Sequence, residues 1–279
     1  MKSKPWIINA ERKGFDLNLS ELSLYKYLLR QLIYRDFVAS YKQTLLGPAW
    51  FIVHPILSAG IFTIVFGRII KVSTEQLPPP LFYLTGITAW NYFSECLNRT
   101  ASVFRDNVNI FGKVYFPRII LPICSAVSLS LRLSIQLIII AFLICVYKCL
   151  GYDIPLSPTI FAIPFLVLLI AMQGVGIGLI IGSLTVRYRD LSFLLAFGLQ
   201  LLMYTTTVIF PLSAVPEKSR FLVQLNPMTT IIEAFRFVLL GTGNFGWMEM
   251  AICSASCMLF FTIGLLIFNR VQRTFIDII

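Results

Sequence analysis

The sequence has little charge and almost no histidine. Only 13% of its 279 residues are Asp, Glu, Lys or Arg, and 57% are hydrophobic. A soluble domain is about a quarter charged, so a soluble globular fold is excluded. The single histidine, His54, lies in an apolar run. A lone histidine in a span is either a proton relay or a hydrogen-bonded packing residue, and packing is the expectation here. No Ser/His/Asp or Cys/His set assembles around it, so an enzyme is not expected. A phosphate loop of the form G-x-x-x-x-G-K-[ST] is also missing, because Gly112-Lys113 is followed by Val114. ATP hydrolysis is therefore assigned to some other chain, and no cofactor is expected in this one.

Acidic residues are scarce too, at 13 against 23 Lys and Arg, giving a formal charge of +10. The cations are scattered between apolar runs rather than gathered on one face, which argues against a nucleic-acid partner. The six cysteines lie in or beside apolar runs, with Cys145/Cys149 and Cys253/Cys257 at i,i+4 spacing. Without accompanying histidine or carboxylate ligands they read as small packing residues, and no metal site is expected. The first 48 residues carry eight Lys/Arg and no isolated apolar core, so no cleavable signal peptide is expected.

What is present is a series of long apolar runs. A membrane-spanning helix needs about 20 mostly apolar residues. Six runs qualify, at about 49–67, 81–97, 119–147, 159–186, 191–211 and 248–268. A seventh stretch, 220–240, is split by Asn226-Pro227 into pieces too short to cross hydrocarbon. Broken backbone at membrane depth survives only when buried in protein or lining a wet cavity, so this stretch is expected to be a re-entrant pair of short helices. With the N-terminus inside, sixteen of the 23 Lys/Arg fall in segments 1–48, 98–118, 187–190 and 269–279. That bias places both termini in the cytoplasm.

The expected fold is an all-α membrane protein. An N-terminal amphipathic interface helix precedes six transmembrane helices, with the re-entrant pair before the last span. Segment 1–48 is the cytoplasmic N-terminal part and 49–270 the membrane domain. Within the latter, 98–118 is cytoplasmic and 219–245 re-entrant, and 271–279 is a cytoplasmic tail. The interface helix is read from Glu21 to about Leu46, with Leu22, Tyr25, Leu29 and Leu32 on one face and Ser23, Lys26 and Arg30 on another. Gly47-Pro48 breaks the chain just before the first span.

Several features carry chemistry or packing. Gly174, Gly178 and Gly182, with Gly176 between, lie in an uninterrupted apolar run. They read as a close helix–helix seam rather than a dinucleotide fingerprint. Among intramembrane ionisable groups, Glu95 sits at a span end, whereas Arg132 is deep in the third span. Glu233 and Arg236, at i,i+3, either pair with each other or meet substrate. Aromatic residues make up 14% of the chain. They serve as interfacial belts or lipid-facing packing, or line a path for sugars, with Phe62, Phe66, Phe197 and Tyr204 as the candidates.

Four ordered motifs resemble one family: Tyr41-Lys42-Gln43-Thr44-x-Leu46-Gly47-x-x-Trp50; Phe116-Pro117-Arg118-x-x-Leu121-Pro122; Val186-Arg187-Tyr188-Arg189-Asp190-Leu191; and Leu225-Asn226-Pro227-Met228 through Glu233-Ala234-Phe235-Arg236. The chain resembles the permease subunit of ABC transporters that export polysaccharides or polyol phosphates, of O-antigen, capsule or teichoic-acid type. One departure is Ser40, where many such permeases have Arg.

The resemblance implies a homodimer in the bacterial inner membrane, with two copies of a separate ATPase holding ATP and Mg. The implied cargo is a lipid-linked glycan, admitted beside Leu46, Gly47 and Pro48. Lys42, Arg187 and Arg189 become candidates to meet its lipid phosphate. ATPase coupling falls to Arg30, Arg35, Arg105 and Lys113, and the outer gate to Asn226, Pro227, Glu233 and Arg236. Competing readings are a permease of this fold for drugs or other lipids, and a membrane-embedded transferase that depends on His54 or Glu95.

Overall fold

A computed structural model describes residues 25–107, 116–155 and 158–278, with side chains through residue 272. Among the described residues the chain is all helix, with no strand. The helices of eight residues or more are α1 (Lys26–Ala39), α2 (Trp50–Phe62), α3 (Pro79–Ala101), α4 (Ile120–Cys149), α5 (Ile163–Thr185), α6 (Leu191–Tyr204), α7 (Glu217–Gln224), α8 (Pro227–Leu240) and α9 (Trp247–Ile278). The π-helical segment Thr63–Ile69 extends α2, and the 3-10 segment Pro158–Ala162 leads into α5.

Four helical stretches are long and apolar enough to cross a membrane: Gly47–Ile69, Ile120–Cys149, Pro158–Thr185 and Trp247–Gln272. The protein is therefore a multi-pass membrane protein. Two of the six expected spans differ in character. Over the second, α3 is 23 residues long and buries sixteen of them, including Thr85, Thr88 and Thr100. Packed on nearly every side, it forms the centre of the bundle. Over the fifth, α6 has only 14 residues, about 21 Å of helix against a hydrocarbon core of about 30 Å. The apolar run continues to Pro211, but Thr205-Thr206-Thr207 takes it out of helix.

A second departure concerns α1, which ends at Ala39 rather than near Leu46. Residues 40–46 form successive turns, with Thr44 N–H donating to the Tyr41 carbonyl at 3.1 Å and Gly47 N–H to Thr44 at 3.2 Å. The start of the expected helix, 21–24, lies outside the described residues.

The core is built on α5, which packs most extensively on α9 and α3. Glycine makes this possible on two faces. A Cβ at Gly174 would stand 2.9 Å from Cys96 Cβ, and one at Gly178 would stand 2.6 Å from Thr100 Cβ, both on α3. One at Gly176 would stand 2.6 Å from the Phe261 backbone nitrogen on α9. Bare backbone on both faces lets two neighbours approach to contact distance. A smaller cluster closes the end of the bundle near α1, with Phe104 and Phe268 at 4.9 Å and Tyr25, just before α1, packed against it together with Leu28, Leu29 and Leu32 of α1.

Candidate functional site

Several regions carry the residues singled out in the sequence. The first is the junction between α1 and α2. Phe37 and Tyr41 meet Phe51 at ring-centre distances of 5.7 and 6.2 Å. These contacts pin the end of α1 to the start of α2, while the loop between them bulges outward. Leu45 is fully exposed and Leu46 44% exposed. Gly47 has φ +55° with nothing within 4 Å of where a Cβ would stand. The break is thus set by a backbone conformation that glycine adopts freely, followed by Pro48 at the first turn of a 3-10 segment. Leu46, Gly47 and Pro48 form an open, apolar corner against the side of the bundle.

Cations surround this end. Lys42 is exposed on the loop, and Arg187 and Arg189 are exposed on the tight turn between α5 and α6. The Arg187 guanidinium stands 5.6 Å from the Tyr188 ring centre. On α1, Arg30 is exposed and Arg35 pairs with Asp36 at 2.8 Å. Arg105 is exposed and pairs with Asp106 at 3.3 Å. Lys113 lies outside the described residues.

The aromatic candidates fall into two separate groups. Phe62 and Phe66 meet edge to face at 5.3 Å and both lean on Tyr83 of α3. Phe197 and Tyr204 lie on α6, 60% and 47% exposed.

At the opposite end, the split stretch forms α7 and α8 with the break at Asn226. The Asn226 side chain accepts from Met228 N–H at 3.1 Å, and Pro227 occupies the first helical position. Gly241, at φ 74°, ends the helix. This start and stop follow ordinary capping chemistry. Inside, Glu233 and Arg236 pair at 3.3 Å with both side chains fully buried. Of the two open readings, the structure takes the self-paired one.

The pair also ties four segments together. Arg236 Nη2 donates to the Val208 carbonyl at 3.1 Å, and its guanidinium lies 3.6 Å from the Phe82 ring centre on α3. Glu233 accepts from Asn244 N–H at 3.0 Å and from Leu212 N–H at 3.4 Å. Gly86 makes room for the guanidinium, since a Cβ there would stand 2.8 Å from Nη2.

One pairing was out of reach of the sequence. Arg132 Nη1 donates to Glu95 Oε2 at 3.2 Å, across 37 residues. Each is visible alone as an ionisable group in an apolar run, but nothing local links them. His54 is also corrected. It is exposed on α2 beside this pair, not packed inside the bundle.

The sequence matches the ABC-2 type transporter family over residues 27–240. The chain belongs to that family. Among curated relatives, two O-antigen export system permease proteins RfbA of Klebsiella pneumoniae are 25% and 28% identical, over 90% of this chain and 95% of theirs. The polysialic acid transport protein KpsM of Escherichia coli is 21% identical over 81% of this chain and 83% of its own. The ABC-2 assignment agrees with the four ordered motifs and with a transport subunit rather than an enzyme.

Proposed function

We propose that this chain is the permease half of an ATP-driven exporter that carries a lipid-linked polysaccharide, O-antigen-like or capsular, across the bacterial inner membrane. The observation that carries this reading is the near full-length match to permeases named for O-antigen export. In it, α3 and α6 join the four long apolar stretches as spans, α7 and α8 dip in from the outer face, and both termini are cytoplasmic. Two copies form one channel. Support for the pairing comes from α2 and α6, whose apolar residues Ile52, Ile56, Phe193 and Phe197 are left exposed. Two copies of a separate ATPase bind ATP and Mg and drive α1 together with the segment after α3.

The physical problem is an amphiphile of extremes. A glycan is too polar for hydrocarbon, while its anchor is too apolar to leave it. In this reading the anchor stays in the bilayer and the sugar threads between the two copies. The corner at Leu46, Gly47 and Pro48 admits the substrate, and Lys42, Arg187 and Arg189 meet the lipid phosphate through charge-assisted hydrogen bonds. Rings of Phe62, Phe66, Phe197 and Tyr204 offer faces to sugars. The α7–α8 pair, held by Glu233 and Arg236, closes the outer end.

Deleting the gene tests the reading. Surface glycan disappears, unexported glycan accumulates inside, and the tagged protein brings an ATPase down with it. Intact surface glycan with lost export of a drug or another lipid would move the assignment to a different cargo of the same fold.

A further inference from the structure

A charged cleft of about 260 Å³ opens between α2, α3 and α4, at the end of the bundle that carries α1. Trp50 and His54 line it from α2, Asn91 and Glu95 from α3, and Arg132 and Gln136 from α4. Arg132 is 13% exposed and Glu95 48%. Besides its bond to Glu95, the Arg132 guanidinium lies 5.0 Å from the Phe51 ring centre. Its Nε and Nη2 are shielded from water and have no hydrogen-bond partner. Orphaned donors on a cation at membrane depth are costly, and a group able to satisfy them is the simplest reason to retain them.

Position and charge narrow the ligand. The half-exposed Trp50 is the kind of ring that sits at headgroup depth. Flanking the cleft, Val127 and Leu131 of α4 are exposed, which suits acyl chains. The charged side chains that line the cleft are Glu95 and Arg132, one carboxylate and one cation. The lining offers one site of each sign rather than the cluster of cations that a pyrophosphate needs. A headgroup with one phosphate and one ammonium finds a partner for each charge.

The geometry points to a seat for one zwitterionic phospholipid headgroup of the phosphoethanolamine kind. Its phosphodiester goes to Arg132 and its ammonium to Glu95. A primary ammonium is preferred over a quaternary one because it donates hydrogen bonds to the carboxylate. The guanidinium turns from Phe51 toward the phosphate and satisfies its free N–H groups. Because Phe51 also contacts Phe37 and Tyr41, the seat lies directly beneath the anchor of α1. This inference rests on the membrane assignment alone and is independent of the exported cargo.

The test is native mass spectrometry of the full-length chain after detergent exchange in equimolar phosphatidylethanolamine and phosphatidylglycerol. The wild type retains one phosphatidylethanolamine per copy in preference to phosphatidylglycerol. Arg132→Gln lowers that retention about tenfold, the scale of one charge-assisted contact. Glu95→Gln, which leaves a net positive seat, shifts the preference to phosphatidylglycerol. If Arg132→Gln fails to assemble, the near-isosteric Glu95→Gln decides alone. Equal retention of the two lipids by the wild type, or an unchanged preference in Glu95→Gln, overturns the proposal. Displacement of phosphatidylethanolamine by added pyrophosphate-linked carrier lipid overturns it in favour of a cargo site.

Discussion

Removing one member of the Glu233–Arg236 pair should cost far more than removing both. The side chains are fully buried, so Arg236→Met leaves a carboxylate with no counter-charge, held by neutral donors such as the Asn244 and Leu212 amides. Breaking a buried pair on one side costs about 3–5 kcal/mol. At roughly 2–4 °C per kcal/mol, that lowers the melting temperature by about 6 to 20 °C. Glu233→Gln strands the guanidinium in the same way and at similar cost. In the double variant neither charge remains. The chief loss is then the bond to the Val208 carbonyl and the contact with Phe82, about 1–3 kcal/mol. The two substitutions should therefore be non-additive by roughly 3 kcal/mol or more. Thermal unfolding of the four proteins in detergent, followed by size-exclusion chromatography, measures this. Singles that each lose under about 1 kcal/mol and add in the double would mean that the pair meets water, and the picture of a dry staple would be wrong.

Gly178→Ala pushes a methyl onto Thr100 Cβ at 2.6 Å and should cost about 1–3 kcal/mol, whereas Gly198→Ala, with nothing within 4 Å, should leave the melting temperature unchanged. Gly47→Leu should express and assemble but impair export, because φ +55° is strained for any side chain by about 1–2 kcal/mol; Gly47→Asn, better tolerated there, should export more glycan in a surface immunoblot. Phe51→Ala removes the ring beneath Phe37 and Tyr41, at about 3–5 kcal/mol, and α1 amides should exchange with deuterium faster while α5 amides do not. Arg105→Glu, at an exposed position, should reduce co-purification of the ATPase without lowering the yield of the membrane chain.

How much was legible depended on the range of the interaction. Hydropathy is a local property, so the four long apolar stretches and the break at Asn226-Pro227 stand in the sequence much as they stand in the structure. The glycine seam was also readable, because small residues at i, i+4 and i+8 face one way on a helix. Burial was less accessible. The α3 run looks like any span, yet its threonines lie at the centre of the bundle, since only the packed neighbours decide which helix loses contact with lipid. The shortness of α6 came from three threonines that turn the chain, an effect that hydropathy does not register. Glu233 and Arg236 were visible as an i,i+3 pair. Glu95 and Arg132, on different helices, were not, because their meeting depends on how α3 and α4 cross.

The glycines on both faces of α5 have a genetic consequence. A single-base change in a glycine codon that yields another amino acid always adds at least a Cβ. At Gly174, Gly176 and Gly178 that atom lands within 3 Å of a neighbouring helix. Missense changes along this buried seam should therefore surface as loss-of-function alleles at sites that meet neither cargo nor partner, and a mutational map of the protein will mark α5 as sharply as any part that moves.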